Sequence, residues 1–397
     1  MNIELEFAQG MAGIERAEWD SLASRYDCPL LSWGFLALLE ESGSITAGTG
    51  WGPHHLLARR DGRLVAAAPF YVRSHSMGDF VFDFAFAEAA GKMGAPYYPK
   101  LVGAVPATPS PVWRVLVAEG EDEEVLGAIV IGAAAEAARE AGLGGLHLLW
   151  VDPAAALPIR KTALPLTEWK HQSFLWSDAG FGDFQGYLDA FTKNMRRNVL
   201  RERASVRRAG IESRIIEAEE AAVRPDLLER MADFYEDTNA KFGPWGAKFL
   251  TREFFTRLPE YMATGWVLSA AFGAGEGEGD PVGLAFLFRG KERLWGRWWG
   301  SSRFVDSLHF ELCYYRPIEY ALSRGIGSFD PGMGSEHKAR RGFASLLAPS
   351  FHLAFDGRMR RLFEYNLPLF NAEEAEGARI LDADLPWKRN QSGTSTL

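Results

Sequence analysis

Titratable side chains that suit acid–base chemistry are concentrated in residues 298–343 of the sequence. Four of them fall within two turns of one predicted helix: His309, Glu311, Tyr314 and Tyr315. Glu311 and Tyr315 are four residues apart and therefore share one helical face, whereas His309 lies on another. Because a carboxylate can accept a proton from a reacting group, we assign Glu311 as a catalytic candidate. The alternatives are a solvated Glu311 and a core histidine that bonds a backbone carbonyl.

A loop rich in ionisable groups follows the next predicted strand. The turn sequence at residues 330–332 ends that strand. Folds of the α/β class place ligands at strand ends of this kind. We therefore predict that Glu336 and His337 are catalytic, as candidate bases, and that Lys338 and Arg341 bind an anionic group. We expect this loop to face the helix of Glu311. The alternative is a cluster of surface charges that only holds the loop in place.

Aromatic residues in the same stretch predict the walls of a binding pocket. We assign Trp299, Tyr314 and Tyr315 to substrate binding together with His309, and packing within a sheet is the alternative for the tryptophan. Residues 300–303 lead into the predicted helix, whose N-terminus suits a phosphate. The spacing of histidines and cysteines matches no zinc site, and no Walker or Rossmann glycine motif occurs, so no metal is predicted.

A strongly basic segment forms a second candidate region. Residues 193–208 hold seven basic side chains and one acidic side chain at helical spacing. We assign four of them to phosphate or polyanion binding: Lys193, Arg196, Arg197 and Arg201. The ligand would be a nucleotide, a lipid head group or an RNA backbone. The alternative is a solvated helix.

Composition limits the class of protein. The 397 residues carry a net charge of −9 and give a pI of about 5.5, which argues against a dedicated DNA-binding protein. Cys28 and Cys313 are isolated, as is usual in a reducing compartment. The N-terminal residues show no signal-peptide pattern, and no apolar stretch is long enough to span a bilayer. We expect a cytoplasmic protein.

The order of predicted elements suggests that one α/β unit is used twice. Helical patterns cover residues 14–41, 122–141, 226–240, 248–262 and 307–324, and an Asp61-Gly62 pair predicts a hairpin. Each half reads as helices, an antiparallel hairpin, a helix and a strand. We therefore predict one domain at residues 1–170, a second at 171–388 and a polar tail at 389–397.

Several segments resemble the FemAB-like, GNAT-related acyltransferases described as predicted proteins of peptidoglycan biosynthesis or recognition. The segments that carry the resemblance lie across residues 30–365: Trp33 to Leu36, Glu40 to Gly43, Tyr71 to Ser76, Phe82-Asp83, Tyr97 to Lys100, Asn194 to Asn198, Leu308 to Tyr315, Ile318 to Tyr320, Phe329 to Gly332, Glu336 to Lys338 and Arg341 to Phe343. Pro317 departs from the pattern because it interrupts what should be one helix.

The resemblance implies a fold and an activity. The fold would be α/β, with tandem GNAT-like domains that each contain a mixed, largely antiparallel sheet flanked by helices. The activity would be N-acyl or aminoacyl transfer to an amine, with a small molecule or a cell-wall precursor as acceptor. The donor is left open between acyl-CoA and aminoacyl-tRNA, and tRNA is a possible partner. A non-catalytic protein that recognises a cell-wall or lipid-linked precursor is the alternative.

Overall fold

The structure is a computed structural model that describes residues 3–243, 246–273, 279–334 and 336–388. It divides into two compact units. Unit 1 comprises Met1–Gln172 and Leu347–Gly377, and unit 2 comprises Ser173–Leu346 and Ala378–Leu397. The sequence prediction had placed residues 347–377 in the second domain. They group with unit 1 because residues 351–354 pair with a strand at residues 145–148. The predicted tail at 389–397 lies outside the described residues.

Unit 1 combines short strands with amphipathic helices. Its strands are β1 (Glu4–Ala8), β2 (Trp51–Pro53), β3 (His55–Arg60), β4 (Arg63–Ala68), β5 (Phe70–Arg73), β6 (Lys100–Gly103), β7 (Leu116–Val117) and β8 (Gly145–Leu148). Its helices are α1 (Arg16–Ala23), α2 (Trp33–Glu41), α3 (Phe84–Met93), α4 (Glu123–Glu140) and α5 (Ala156–Arg160). The chain passes into unit 2 within β9 (Thr167–Ser177).

Unit 2 is built around longer strands. Its helices begin with α6 (Phe184–Ala190), α7 (Lys193–Arg208), α8 (Ala218–Ala222), α9 (Pro225–Ala240), α10 (Arg252–Thr256) and α11 (Leu258–Tyr261). Its strands are β10 (Ile211–Glu217), β11 (Trp266–Gly273), β12 (Gly283–Arg289), β13 (Arg293–Ser301) and β14 (Ser328–Asp330). Helices α12 (Leu308–Phe310) and α13 (Arg316–Arg324) lie between β13 and β14. The chain then returns to unit 1 within β15 (Ala344–Ala354) and re-enters unit 2 within α14 (Gly357–Ala383).

Mixed sheets organise both units. In unit 1, β1-β3-β4-β7 form an antiparallel sheet, and β15-β8-β6-β5-β2 form another in which only β6 and β8 run parallel. In unit 2 the order is β10-β11-β12-β13-β14-β9, with only β13 and β14 parallel. The predicted hairpin is confirmed between β3 and β4. Asp61 and Gly62 both have positive φ angles, as a type I′ turn requires.

Two predicted helices are each divided in the structure. Within residues 248–262 only α10 and α11 are helical, and they are separated at Arg257. Residues 14–41 form two helices, because α1 ends at Ala23 and α2 begins at Trp33. Pro29 starts a short 3-10 turn between them, and it cannot donate the N–H that a continuous helix needs. Ser32 then caps α2 by accepting a hydrogen bond from the Phe35 N–H, which satisfies one of its free amide groups.

The predicted helix at 307–324 is confirmed, with an irregular centre. Residues 308–324 are helical throughout, and Glu311–Tyr315 between α12 and α13 adopt a π-helical turn. The Arg316 N–H donates to the Glu311 carbonyl, five residues back. The turn ends two residues before Pro317, which lacks an N–H, so the wider turn accommodates the proline without ending the helix.

Candidate active site

A cleft of about 370 Å³ opens in unit 2 beside the ends of β13 and β14. Strand β13 pairs with β14 only over residues 293–295, opposite 328–330. Beyond Trp295 the two strands are no longer paired, and the described residues that line the cleft belong to β12, β13, the helix of His309 and the loop after β14. The cleft therefore lies where the sequence analysis expected a ligand, at a strand end.

Four of the predicted substrate-binding residues line this cleft. They are Trp299, His309, Tyr314 and Lys338. The imidazole of His309 packs against Trp299, with ring centroids 4.6 Å apart, and meets the Tyr314 ring edge-on at 5.4 Å. Burial, and then the positive charges of Arg341 and Lys338, lower the pKa of His309 to about 4. The imidazole is therefore neutral near neutral pH.

Lys338 brings an amino group into the wall of the cleft. Its side chain is buried, and its Nζ donates to the carbonyls of Gly332 at 2.8 Å and Met333 at 2.7 Å. Burial lowers the pKa of Lys338 to about 8, although the Asp330 carboxylate opposes this effect. An ammonium carries three protons, and these two carbonyls account for two of them.

Glu311 lies on the other side of the helix, away from the cleft. Its two oxygens accept hydrogen bonds from Nε and Nη2 of Arg203, each at 3.0 Å, and Oε1 also accepts from Ser213 Oγ at 2.8 Å. A bidentate guanidinium pair of this kind holds a carboxylate in a fixed orientation. The structure thus places this predicted base in a buried ion pair that joins α7, β10 and the π turn.

Tyr315 and Arg341 also lie outside the lining of the cleft. The Tyr315 hydroxyl donates to Glu202 of α7 and accepts from Arg341 Nε at 2.9 Å. Arg341 Nη2 donates to Glu202 at 2.8 Å, and the guanidinium stacks 3.5 Å from the centre of the Phe310 ring. These two predicted substrate-binding residues therefore hold the helix and the loop together, which is the alternative that the sequence left open.

The two loop candidates, Glu336 and His337, have exposed side chains and do not line the cleft. The His337 ring lies 5.7 Å from the Phe310 ring, and its backbone carbonyl accepts from Arg341. The expected approach of the loop to the helix is therefore present, but Lys338 is the member of the loop that reaches the cleft.

The sequence analysis missed Arg297. Its side chain is only 2% exposed, and it lines the cleft 3.5 Å from Asp330 Oδ1. An isolated arginine between tryptophans gave no signal, because its position depends on a β-bulge between β12 and β13. The only hint of the bulge in the sequence was that the alternating pattern of the strand ends in two adjacent large residues, Trp298 and Trp299.

The predicted polyanion-binding residues lie on the outer part of α7. Lys193, Arg197 and Arg201 are exposed. Arg196 is half-buried and donates to Asp189 at 2.6 Å, and Arg197 donates to Asn194 at 2.8 Å. At the predicted phosphate site before α12, the Asp306 carboxylate accepts from Ser205 Oγ at 2.8 Å, so an acidic group already stands at this helix start.

Unit 1 contains a separate buried network made from the segments that carry the family resemblance. Lys100 Nζ donates to Asp83 at 2.5 Å and to Ser76 at 2.8 Å. The Tyr97 hydroxyl donates to the same Asp83 oxygen at 2.6 Å. Arg73 makes a buried ion pair with Asp79 at 2.9 Å. These residues join β5, β6 and α3 within unit 1.

Residues 10–389 match the sequence profile of the FemAB-like family, described as peptidoglycan biosynthesis/recognition. The chain belongs to the FemAB-like family. Membership agrees with the resemblance noted above, whose segments fall in both units. No curated protein matches the sequence.

Solved structures similar to this FemAB-like chain include the crystal structure of FemX. The TM-score is 0.55 at 12% identity, with 92% of this chain and 100% of that chain covered. Family membership and the mixed sheets of both units confirm the predicted tandem GNAT-like α/β fold. A tandem GNAT protein from the clavulanic acid biosynthesis pathway is also similar, with a TM-score of 0.45, 13% identity and coverage of 89% and 98%. L-PGS from Bacillus licheniformis gives a TM-score of 0.47 at 11% identity, with 84% of this chain and 95% of that chain covered.

The described residues also bear on metal binding and on membrane insertion. Across the described residues, no group of three or more histidine, cysteine, aspartate or glutamate side chains is arranged to hold a metal ion. In the same part of the chain, none of the helices combines the length and the apolar character needed to cross a bilayer.

Proposed function

We propose that this FemAB-like protein transfers an acyl or aminoacyl group to an amine acceptor, and that the reaction takes place in the cleft of unit 2. The observation that carries the proposal is the meeting of Lys338 Nζ and the neutral imidazole of His309 at the wall of one cleft beside a strand end. Family membership supports a cell-wall precursor as the acceptor.

The chemistry assigns a role to each of these two groups. The ammonium of the acceptor must lose a proton before its nitrogen can attack, and the neutral His309 imidazole is the group in the cleft that can take it. Attack of the amine on the acyl carbonyl places negative charge on its oxygen, and the remaining N–H of Lys338 can stabilise that charge. The nitrogen–carbon bond forms, the bond to the donor's oxygen or sulfur breaks, and the second proton that the nitrogen loses passes to the leaving group.

The donor is either acyl-CoA or aminoacyl-tRNA, and native mass spectrometry of the freshly purified protein would show which of them stays bound. Transfer is then measured as a gain in acceptor mass, with acetyl-CoA or alanyl-tRNA as donor. We expect Lys338→Met to lower the rate by about 100-fold. The control is Lys248→Met, which removes an exposed lysine of unit 2 that pairs with Glu236. Equal rates in both variants would exclude the cleft as the reaction site.

The same assay tests the two loop candidates. If Glu336 or His337 supplies the base in the working complex, Glu336→Gln or His337→Ala will abolish transfer without changing the melting temperature. If both variants stay active, the base is His309, and His309→Ala will be the inactive variant.

A binding protein without turnover is the second candidate, and one observation favours it. Glu311 is held by Arg203, and the exposed Glu336 and His337 side chains lie outside the cleft, so no carboxylate proposed as a base lines the cleft. A bound precursor with no mass transfer from either donor would support this function.

A further inference from the structure

A β-bulge turns one arginine of β13 into the cleft. Leu287 of β12 pairs with Gly296, whereas the preceding Phe286 pairs with Trp298. Arg297 is therefore the extra residue that has no partner in the ladder. Bulges commonly redirect a side chain and end regular pairing, and here β13 also stops pairing with β14 after Trp295. The fold thus presents Arg297 where the two strands separate.

Two nitrogens of the Arg297 guanidinium have no hydrogen-bond partner among the described residues. Its Nη1 donates to the Gly296 carbonyl at 2.6 Å and lies 3.5 Å from Asp330 Oδ1. Within the described residues, Nε and Nη2 are buried and have no hydrogen-bond partner. These two atoms form the edge that binds both oxygens of a carboxylate or phosphate side by side. Burying them without a partner is costly, so this edge is suited to a ligand.

The charge and the walls of the cleft favour a singly charged anion. Arg297 and Lys338 supply two cationic groups, and Asp330 supplies one carboxylate near both. One additional negative charge would balance them. The remaining walls are largely apolar and aromatic, with Trp298, Trp299 and Tyr314 among them. The cleft volume is in the range of small-molecule sites.

We infer that the cleft binds its acceptor through a carboxylate, held by Nε and Nη2 of Arg297. The substrate class is therefore an amino-carboxylate, such as an amino acid or a peptide with a free carboxyl group, whose amine is the acceptor. The identity of this ligand as the acceptor rests on the function proposed above, whereas the carboxylate site itself rests only on the geometry of β13.

Binding of a matched pair of probes tests the site without any change to the protein. The probes are 3-phenylpropionate and its uncharged amide, measured by isothermal titration calorimetry with the full chain. We expect the carboxylate to bind at least about tenfold more tightly, since hydrogen bonds to charged groups are worth more than neutral ones. Phenethyl phosphate is the third probe. Equal binding of acid and amide, or tighter binding of the phosphate, would overturn the inference.

Two arginine variants locate the site. Arg297→Lys keeps the positive charge but loses the pair of N–H donors that binds a carboxylate bidentately. The affinity for the carboxylate should therefore fall about tenfold. The matched control is Arg293→Lys on the same strand, whose guanidinium bonds Ser328 Oγ and does not line the cleft. An equal loss in both variants would contradict the assignment. If the Arg297→Lys variant does not fold, the comparison of 3-phenylpropionate with its amide on the unmodified protein still tests the carboxylate site.

Failure of this inference differs from failure of the proposed function. Transfer to simple amines, with the same KM whether or not they carry a carboxylate, would refute the carboxylate site and leave the transferase intact. Carboxylate binding that depends on Arg297, without transfer from either donor, would confirm the site and refute the transferase.

Discussion

Lys338 is the residue whose charge state can change near physiological pH. Its pKa is lowered to about 8 by burial, so it loses its proton as the pH rises through that value. The other cleft groups keep their charge over the same interval. The pKa of His309 lies far below it, and burial raises the pKa of the Cys313 thiol and the Tyr314 hydroxyl above it.

We therefore expect the affinity for 3-phenylpropionate to fall between about pH 7 and about pH 9, because the lowered pKa makes Lys338 neutral in this range. The direction follows from the charge, since the protonated amine attracts the carboxylate and the neutral amine does not. Calorimetry at each pH would measure the effect. Lys338→Met should flatten the profile, and Lys248→Met should not. A steep profile in Lys338→Met would assign the titration to another group.

Four residues that line the cleft were predicted from the sequence: Lys338, His309, Tyr314 and Trp299. Their residue types, and their positions after a strand or on a helix, were sufficient for that prediction. It could not place Glu311, since the ion pair with Arg203 joins residues more than a hundred positions apart. Arg297 was missed for a related reason. A bulge depends on how two strands pair, and that pairing is not visible in either strand alone.

Helix α7 combines an inward-facing arginine with an exposed basic side. Arg203 is buried against Glu311 and Glu319, while Lys193, Arg197 and Arg201 are exposed. The helix therefore contributes to stability on one face, and the other face is available to a polyanion. The predicted phosphate contact concerns only the exposed face.

We predict that the double variant Arg197→Ala, Arg201→Ala binds unacylated tRNA more weakly and with a smaller salt dependence. Each phosphate contact that is lost should lower the slope of log affinity against log salt by about 0.7 to 0.9. Filter binding at several salt concentrations would measure it. The control is Arg207→Ala, Arg208→Ala, which removes the same charge from the end of the helix. Identical slopes in the two variants would show that α7 is only a solvated helix.

Most regular elements of unit 2 could be predicted from periodicity alone. The basic helix is found at its predicted bounds, residues 193–208, and the helical pattern at 226–240 is found as Pro225–Ala240. The π turn at Glu311–Tyr315 could not be predicted, because it depends on where Pro317 falls within a helix that tertiary packing keeps intact. At Pro29 the outcome is the opposite, because there a proline lies between two separate helices, α1 and α2.

At the scale of the molecule, each unit relies on its own buried ion pairs, and those of unit 1 are the more enclosed. Burial would raise the pKa of Asp83, but the ammonium of Lys100 outweighs burial and the pKa is lowered. The stabilisation from this pair is therefore present above the ordinary pKa of an aspartate and persists as the pH falls to about 4. Lys100 thus holds together strands and helix that the sequence places far apart.

We predict that Lys100→Met destabilises the protein by about 3 to 5 kcal/mol, because it leaves the Asp83 carboxylate buried without a counter-charge. The control is Lys92→Met in the same unit, whose ion pair with Glu88 is largely exposed and should contribute much less to the free energy of unfolding. Denaturant unfolding would compare them. Similar losses in both variants would mean that the network of unit 1 is not a stabilising element.

The division of the chain also limits how it can be dissected. Each unit is made of two separate stretches of chain: unit 1 adds Leu347–Gly377 to its N-terminal stretch, and unit 2 adds residues from 378 onward to Ser173–Leu346. A gene cut after residue 172 would encode a fragment that lacks residues 351–354, the partners of β8, and would expose a strand edge that invites aggregation. Recombination that exchanges unit 2 between relatives would therefore need three crossover points, within β9, β15 and α14, because the two units alternate along the chain.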